Sequence, residues 1–325
     1  MNKKQTVIAV VGPTATGKTD LGIFLAKVFD GEILSCDSMQ IYCGLPVGTA
    51  QPTPEERREV PHHLVDFLPL AEDFSVSDYV KEAGIVIEEL SERKKLPILV
   101  GGTGLYSRAL LRGFPFEEHC REDALRETLL NRAEREGPMV LYEELKRLDS
   151  KAAAEIHPNN VKRVARAIEY CTLTGALFSD QAKRSKEVEP PYRSLELLLL
   201  YRDRELLYRR IDERVDRMLE RGLLEEAKTL FDFCGSAEKR PTAAQAIGYK
   251  EFFPFFQGEI SLLEAVEQIK RESRRYAKRQ ITWFSREPEA VPLYLDDYQG
   301  RAEVFERAKE ICGSFLAGKE MRHEQ

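Results

Sequence analysis

The nine residues GPTATGKTD, positions 12–20, constrain this chain more than any other stretch. Gly12, Gly17, Lys18 and Thr19 fit the pattern GxxxxGK[ST], with the apolar run TVIAVV before them and the amphipathic LGIFLAKVF after them. The order is strand, glycine loop, helix, which a phosphate-gripping loop needs. Glycines let consecutive backbone N–H groups converge on phosphate oxygens, and the helix N-terminus adds the positive end of its dipole. Lys18 supplies a mobile point charge, and the Thr19 hydroxyl is a ligand for Mg²⁺. The loop predicts a bound phosphate or pyrophosphate without choosing its owner.

Around this loop the chain has the βαβ rhythm of a parallel sheet. GEILS reads as a second strand. SVSDYVKEAGIVIEELSERKK reads as a helix with Ser75 or Ser77 as N-cap and basic residues near its end. In LPILVGGTGLY a further strand, around Ile98 and Val100, runs into a glycine turn. Three loops with chemical content thus follow strands, and in an open parallel sheet ligands bind at the strands' carboxyl ends. From about Glu117 to Glu189 the sequence is charged and helical with no strand pattern. Roughly seventy strandless residues exceed an ordinary crossover, so an inserted all-helical subdomain at 117–189 is expected in preference to a long helical connection. Pro190 and Pro191 close it, and SLELLLLYRDR resembles a buried strand rejoining the sheet. The expected core is therefore 1–116 with 190–325, an α/β parallel sheet flanked by helices and ending in a mostly helical C-terminal region.

With 42% apolar residues the chain can bury a core, and no segment has the apolar length of a membrane span. The run VIAVV is too short for a signal peptide and enters a glycine loop instead of a cleavage site. Six cysteines without a CxxC pair fit reduced thiols. A cytoplasmic protein with no membrane partner is expected. A net charge of −6 argues globally against nucleic-acid binding. Locally, KRESRRYAKRQITWFSR (270–286) places Arg271, Arg274, Arg275, Lys278 and Arg279 at helical spacing, opposed only by Glu272, with Tyr276 and Trp283 interleaved. That is a candidate phosphate-contacting face for RNA.

The second loop, CDSMQIYCGLPVGTAQP, begins where GEILS ends. Asp and Ser there are common turn formers, but beside a phosphate loop Asp37 also suits coordination of Mg²⁺ through water or acceptance of a proton from a nucleophile. Lysine and Mg²⁺ nearby would keep its carboxyl ionised. In the third loop, GGTGLY, Thr103 reads either as part of a plain glycine turn or as a group that bonds a phosphate oxygen or leaving group. The strand PILV ends without an aspartate, so the second carboxylate usual in an ATPase is missing.

GPTATGKT, DSMQIYCGLPVGTAQP, HHLVD, ILVGGTGLY, QAIGYKE and RRYAKRQITWF occur in an order that resembles the tRNA dimethylallyltransferases, over about residues 10–284. The resemblance implies a P-loop NTPase/kinase-like core with an inserted helical domain. It also implies transfer of a dimethylallyl group from its diphosphate to N6 of the adenosine 3′ of the anticodon. It implies that the loop Gly12, Pro13, Thr14, Ala15, Thr16, Gly17, Lys18 and Thr19 holds the donor's diphosphate, with Mg²⁺ at Thr19 and Thr103 at the diphosphate. Asp37 would act on the target amine, and Ser38, Met39 and Gln40 would contact the tRNA. An arginine of LYRRIDERVDRML, either Arg210 or Arg214, would reach the diphosphate. The family's usual NDxQRxxRALE reads NNVKRVARAIE here, with Asn160 and Lys162 as departures. The anticodon stem-loop is expected at Lys162, Arg163, Val164, Ala165 and Arg166, at Arg126, and at Arg274, Arg275 and Lys278. No counterpart of the eukaryotic zinc finger is present, so a bacterial-type enzyme is expected; a monomer is also expected. Three rivals share parts of the pattern. They are a P-loop small-molecule kinase, an isopentenyltransferase acting on free adenine nucleotides, and a non-catalytic RNA-binding protein with a vestigial loop.

Overall fold

In the computed structural model, which describes residues 4–113, 122–180, 188–237 and 240–319, six strands form one sheet. They are β1 (Thr6–Val11), β2 (Gly31–Ser35), β3 (His62–His63), β4 (Leu96–Gly101), β5 (Arg193–Leu200) and β6 (Val291–Tyr294). Their order is β3-β2-β4-β1-β5-β6, and every pairing is parallel. β1, β2, β4 and β5 are the near-continuous apolar runs expected of strands covered on both faces.

Alternation along β1 divides its side chains between two cores. Ile8 and Val10 pack with Leu21 and Leu25 of the helix Lys18–Val28 and with Ala308 and Cys312 of the helix Arg301–Leu316. Val7, Ala9 and Val11 pack on the other face with Tyr79, Ala83 and Ile87 of the helix Val76–Glu92 and with Phe284. Of the two candidate serines, Ser75 caps that helix, in a reciprocal capping box with Asp78. The C-terminal tail is a covering layer of the sheet, with Phe305 against Phe24 at a centroid distance of 5.1 Å.

Two strands escape a sequence reading. β3 has two residues and β6 has four, and both lie at the sheet's edges. Pro292 in β6 is tolerated there because one side of an edge strand needs no donor.

Register sets the site. Ser35 of β2 and Val10 of β1 both lie level with Val100 of β4. The three loops that follow these strands therefore leave the same end of the sheet side by side.

The chain divides into two units, Met1–Leu111 with Pro191–Gln325, and Arg112–Pro190. The expected boundary at 116/117 lies outside the described residues. Among the described residues the second unit is wholly helical: Asp123–Glu136, Pro138–Leu148, Ser150–Glu155 and Val161–Thr174. Leu141, Leu145, Val164 and Ile168 form its core. Asp149 joins two segments, accepting from Ala152 N at 3.0 Å and from Ser179 N at 2.7 Å.

Candidate active site

The glycine loop closes as its composition demands. A Cβ on Gly12 (φ 140°) would lie 2.5 Å from the Leu199 carbonyl oxygen, so only glycine fits against β5. Gly17 takes φ 80° and leaves the helix Lys18–Val28 without a side-chain cap. The first-turn N–H groups thus face outward as an anion site. Within the loop, the Thr16 hydroxyl and the Lys18 ammonium both donate to the Pro13 carbonyl, at 2.9 and 2.7 Å. Burial and the charge of Arg214 bring the Lys18 ammonium down to about 7, against the opposing pull of Asp37.

One cavity of about 630 Å³ lies at the ends of the strands. Thr14, Ala15, Gly17, Lys18 and Thr19 of the first loop, Asp37, Ser38, Met39 and Gln40 of the second, and Gly101 and Gly102 of the third all line it. From the helix Arg204–Glu220 come both candidate arginines. Arg210 donates through Nε to the Ala15 carbonyl at 3.4 Å. Arg214 is recessed, its pKa lowered by burial, and it feels the Asp37 carboxylate. Arg214 is therefore electrostatically coupled to both Lys18 and Asp37, whereas Arg210 bonds the loop backbone. Val215, Met218, Ile247 and Ile269 add an apolar wall.

The second and third loops are fastened to one another. Thr103 N donates to the Cys36 carbonyl at 3.1 Å, and Ser38 N donates to Thr103 Oγ1 at 3.0 Å. Thr103 thus links two loops, and the faces turned to the cavity are those of Gly101 and Gly102. Asp37 Oδ1 accepts from Met39 N at 2.9 Å, which fixes the carboxylate. Gln40, expected at the tRNA, is engaged inside its own loop. Its Oε1 accepts from Ser35 Oγ at 2.8 Å and its Nε2 donates to the Ala50 carbonyl at 2.8 Å.

Gly101 has no room for a side chain, since its Cβ would meet Cys36 O at 2.1 Å. Gly101→Ala should displace the Asp37 loop. We expect a loss of about 2–4 kcal/mol in thermal unfolding and, from roughly 1 Å of misplacement, about a 100-fold loss of turnover.

Three contributors carried no local signal. Gln280 touches both the first and third loops. Glu226 accepts from Val47 N, Gly48 N and the Tyr249 phenol, at 2.9, 2.8 and 2.6 Å, and so anchors the second loop. Arg301 of the tail meets Asp20 at 2.5 Å on the cavity rim. Each lies far in sequence from what it holds; only their place in QAIGYKE and RRYAKRQITWF could have drawn notice to Tyr249 and Gln280.

The basic helix, Leu262–Phe284, has two faces where the spacing suggested one. Arg274 pairs with Asp212 at 2.5 Å and Lys270 with Asp216 at 2.7 Å, so these cations join helices. Arg275, Lys278, Arg279 and Arg286 instead surround Trp283 in an open groove. In the second unit, Lys162 and Arg163 are exposed. Arg126 and Arg166 share the carboxylate of Glu169, which is fully buried, at 2.6 and 3.1 Å. Val164 and Ala165, expected beside them at the RNA, are fully buried in that unit's core. A helical turn directs the apolar members of NNVKRVARAIE inward and leaves Lys162 and Arg163 to solvent.

No helix among the described residues is long and apolar enough to cross a membrane. The family model described as IPP transferase matches residues 40–287. A tRNA dimethylallyltransferase of Bacillus velezensis is 45% identical over 318 residues, 98% of each chain. That of Bacillus subtilis is 47% identical over 283 residues, 87% of this chain and 88% of its own. The full-length tRNA isopentenylpyrophosphate transferase of Bacillus halodurans superposes with a TM-score of 0.72 at 40% identity, covering 97% of this chain and 98% of that one. A eukaryotic dimethylallyltransferase solved acting on tRNA gives a TM-score of 0.84 at 31% identity, over 98% of this chain and 81% of its own.

Proposed function

The chain belongs to the IPP transferase family, and from that premise we propose that it transfers a dimethylallyl group from dimethylallyl diphosphate to N6 of the adenosine 3′-adjacent to the anticodon of tRNA, releasing diphosphate. One observation carries the proposal. A single cavity joins an anion-gripping loop, a carboxylate and an apolar wall, and an allylic diphosphate attacked by a weak amine needs all three.

The loop amides, Lys18 and Arg214 hold the diphosphate and stabilise the charge that develops on it as the allylic C–O bond breaks. Val215, Met218, Ile247 and Ile269 receive the isoprenoid and exclude water from the carbocation. Asp37 accepts a hydrogen bond from the N6 amine, orients its lone pair, and takes the proton as the C–N bond forms. The target base leaves its stack to reach the cavity, at a cost of a few kcal/mol.

Among the described residues no cluster of three histidine, cysteine or acidic side chains could hold a metal. Mg²⁺ needs none, because it is commonly held by one or two protein oxygens together with substrate phosphates. The hydroxyl of Thr19, on the cavity wall beside Lys18, fits that role. When bound, the ion would neutralise the diphosphate.

The five described cysteines are free thiols, in keeping with a reducing cytoplasm, and the enzyme is proposed to act as a monomer. The stem-loop is assigned to the groove of Arg275, Lys278, Arg279 and Arg286, and to Lys162, Arg163, Arg126 and Arg166. Neutralising Arg275 and Lys278 together should weaken stem-loop binding about tenfold at low salt and reduce the salt dependence by one to two counterions, roughly. Arg274→Ala should instead lower stability by about 1 kcal/mol by stranding Asp212, with the salt slope unchanged. Filter binding across a salt series and thermal unfolding separate the two.

The deciding assay mixes the protein with Mg²⁺, labelled dimethylallyl diphosphate and unmodified tRNA carrying adjacent adenosines in its anticodon loop, with an ATP control. Label should enter the tRNA. Transfer of the ATP γ-phosphate to a small molecule, with no label in tRNA, would overturn the proposal in favour of a kinase.

A further inference from the structure

Gln280 lies on the helix Leu262–Phe284 and is only 5% exposed. A buried primary amide must satisfy both its ends, and this one does so on two different loops. Its Oε1 accepts from Thr14 N, in the glycine loop, at 3.0 Å. Its Nε2 donates to the Gly102 carbonyl, in the third loop, at 2.8 Å. The fit is close on the third-loop side, since a Cβ on Gly102 would come within 2.2 Å of Nε2. One turn earlier on the same helix, Tyr276 lines the same cavity.

β1 and β4 are neighbours in the sheet and fix the starts of these loops. Beyond the strands, backbone pairing no longer fixes their separation, and the Gln280 amide bridges that gap. We propose that Gln280 is a positioning residue that sets the spacing between the glycine loop and the third loop, and thereby the width of the diphosphate cradle. The proposal rests on the functional assignment above, in that the cradle holds a diphosphate. Gln280 lines the cavity, but both its hydrogen bonds go to backbone, and it has no part in the bond changes.

Gln280→Met keeps length and volume while removing both hydrogen bonds, and Gln280→Ala removes the side chain. Inorganic diphosphate binding is measured by calorimetry, and steady-state transfer with dimethylallyl diphosphate and tRNA gives separate KM values. For Gln280→Met we expect about tenfold weaker diphosphate binding and about a tenfold higher donor KM, with the tRNA KM unchanged. A merely structural side chain would lower the unfolding temperature and leave the donor KM alone, and that result overturns the proposal. If Gln280→Ala fails to fold, Gln280→Met still decides. If the wild-type protein binds diphosphate but puts no label into tRNA, the functional assignment fails, and the diphosphate affinities of the variants still test the bridge.

Discussion

Asp37→Asn is expected to lower the turnover of dimethylallyl transfer by about 100- to 10,000-fold, the contribution of a positioned general base, while tRNA affinity stays within about twofold. The reason is local. Asp37 follows β2 at the end of the sheet, and its Oδ1 already accepts from Met39 N, so asparagine retains that contact through its amide oxygen. What is lost is the charge that receives the proton. Adenine N6 is a poor nucleophile because its lone pair is conjugated with the ring, and it reacts only as its proton departs. Single-turnover rates with saturating donor and tRNA read this step alone. If stem-loop binding collapses while the single-turnover rate of bound complex is preserved, Asp37 is a recognition residue and another group takes the proton. Because the carboxylate also pulls on Lys18 and Arg214, donor affinity should shift modestly, which separates this variant from Gly101→Ala, where the whole loop moves.

What the sequence revealed and concealed follows from the range of the interactions. The glycine loop, β1, β2, β4 and β5 were legible because each is specified within a few residues. Gly12 must be glycine, the strands are continuous apolar runs, and Ser75 has its capping partner three residues on. β6 was not legible, since four residues containing a proline become a strand only when β5 offers an edge. On the basic helix, spacing located the arginines correctly but could not see Asp212 and Asp216 on another helix, which claim Arg274 and Lys270. Likewise NNVKRVARAIE contributes both a surface and a core, and Val164 and Ala165 belong to the core. The site's supporting contacts were the least visible. Gln280 is 266 residues from Thr14 and Glu226 is 179 from Val47, and no local pattern encodes such pairings. The chemistry of the cavity was therefore readable from its loops, and the rigidity of the cavity was not.

Removing the ammonium of Lys18 should have the second large effect, a loss of about 100- to 1,000-fold in turnover for Lys18→Met, as for other preorganised groups that face developing negative charge. The loop amides and the uncapped helix N-terminus remain in that variant, so activity persists at a low level. A pH signature accompanies the loss. Burial and the neighbouring Arg214 lower the Lys18 pKa to about 7 in the free protein, so its charged form is lost as pH rises through that value. An arriving diphosphate favours the charged form and raises the pKa again. Binding above about pH 7 must therefore take up a proton, and donor affinity must fall as pH rises until the pKa of the complex is reached. Calorimetry in two buffers of different ionisation enthalpy measures that uptake directly. The same titration on Lys18→Met subtracts the donor's own ionisation. Equal proton uptake by the two proteins would show that Lys18 is already charged when the donor arrives, and the ammonium would then act as a fixed counter-charge instead of one recruited by the leaving group.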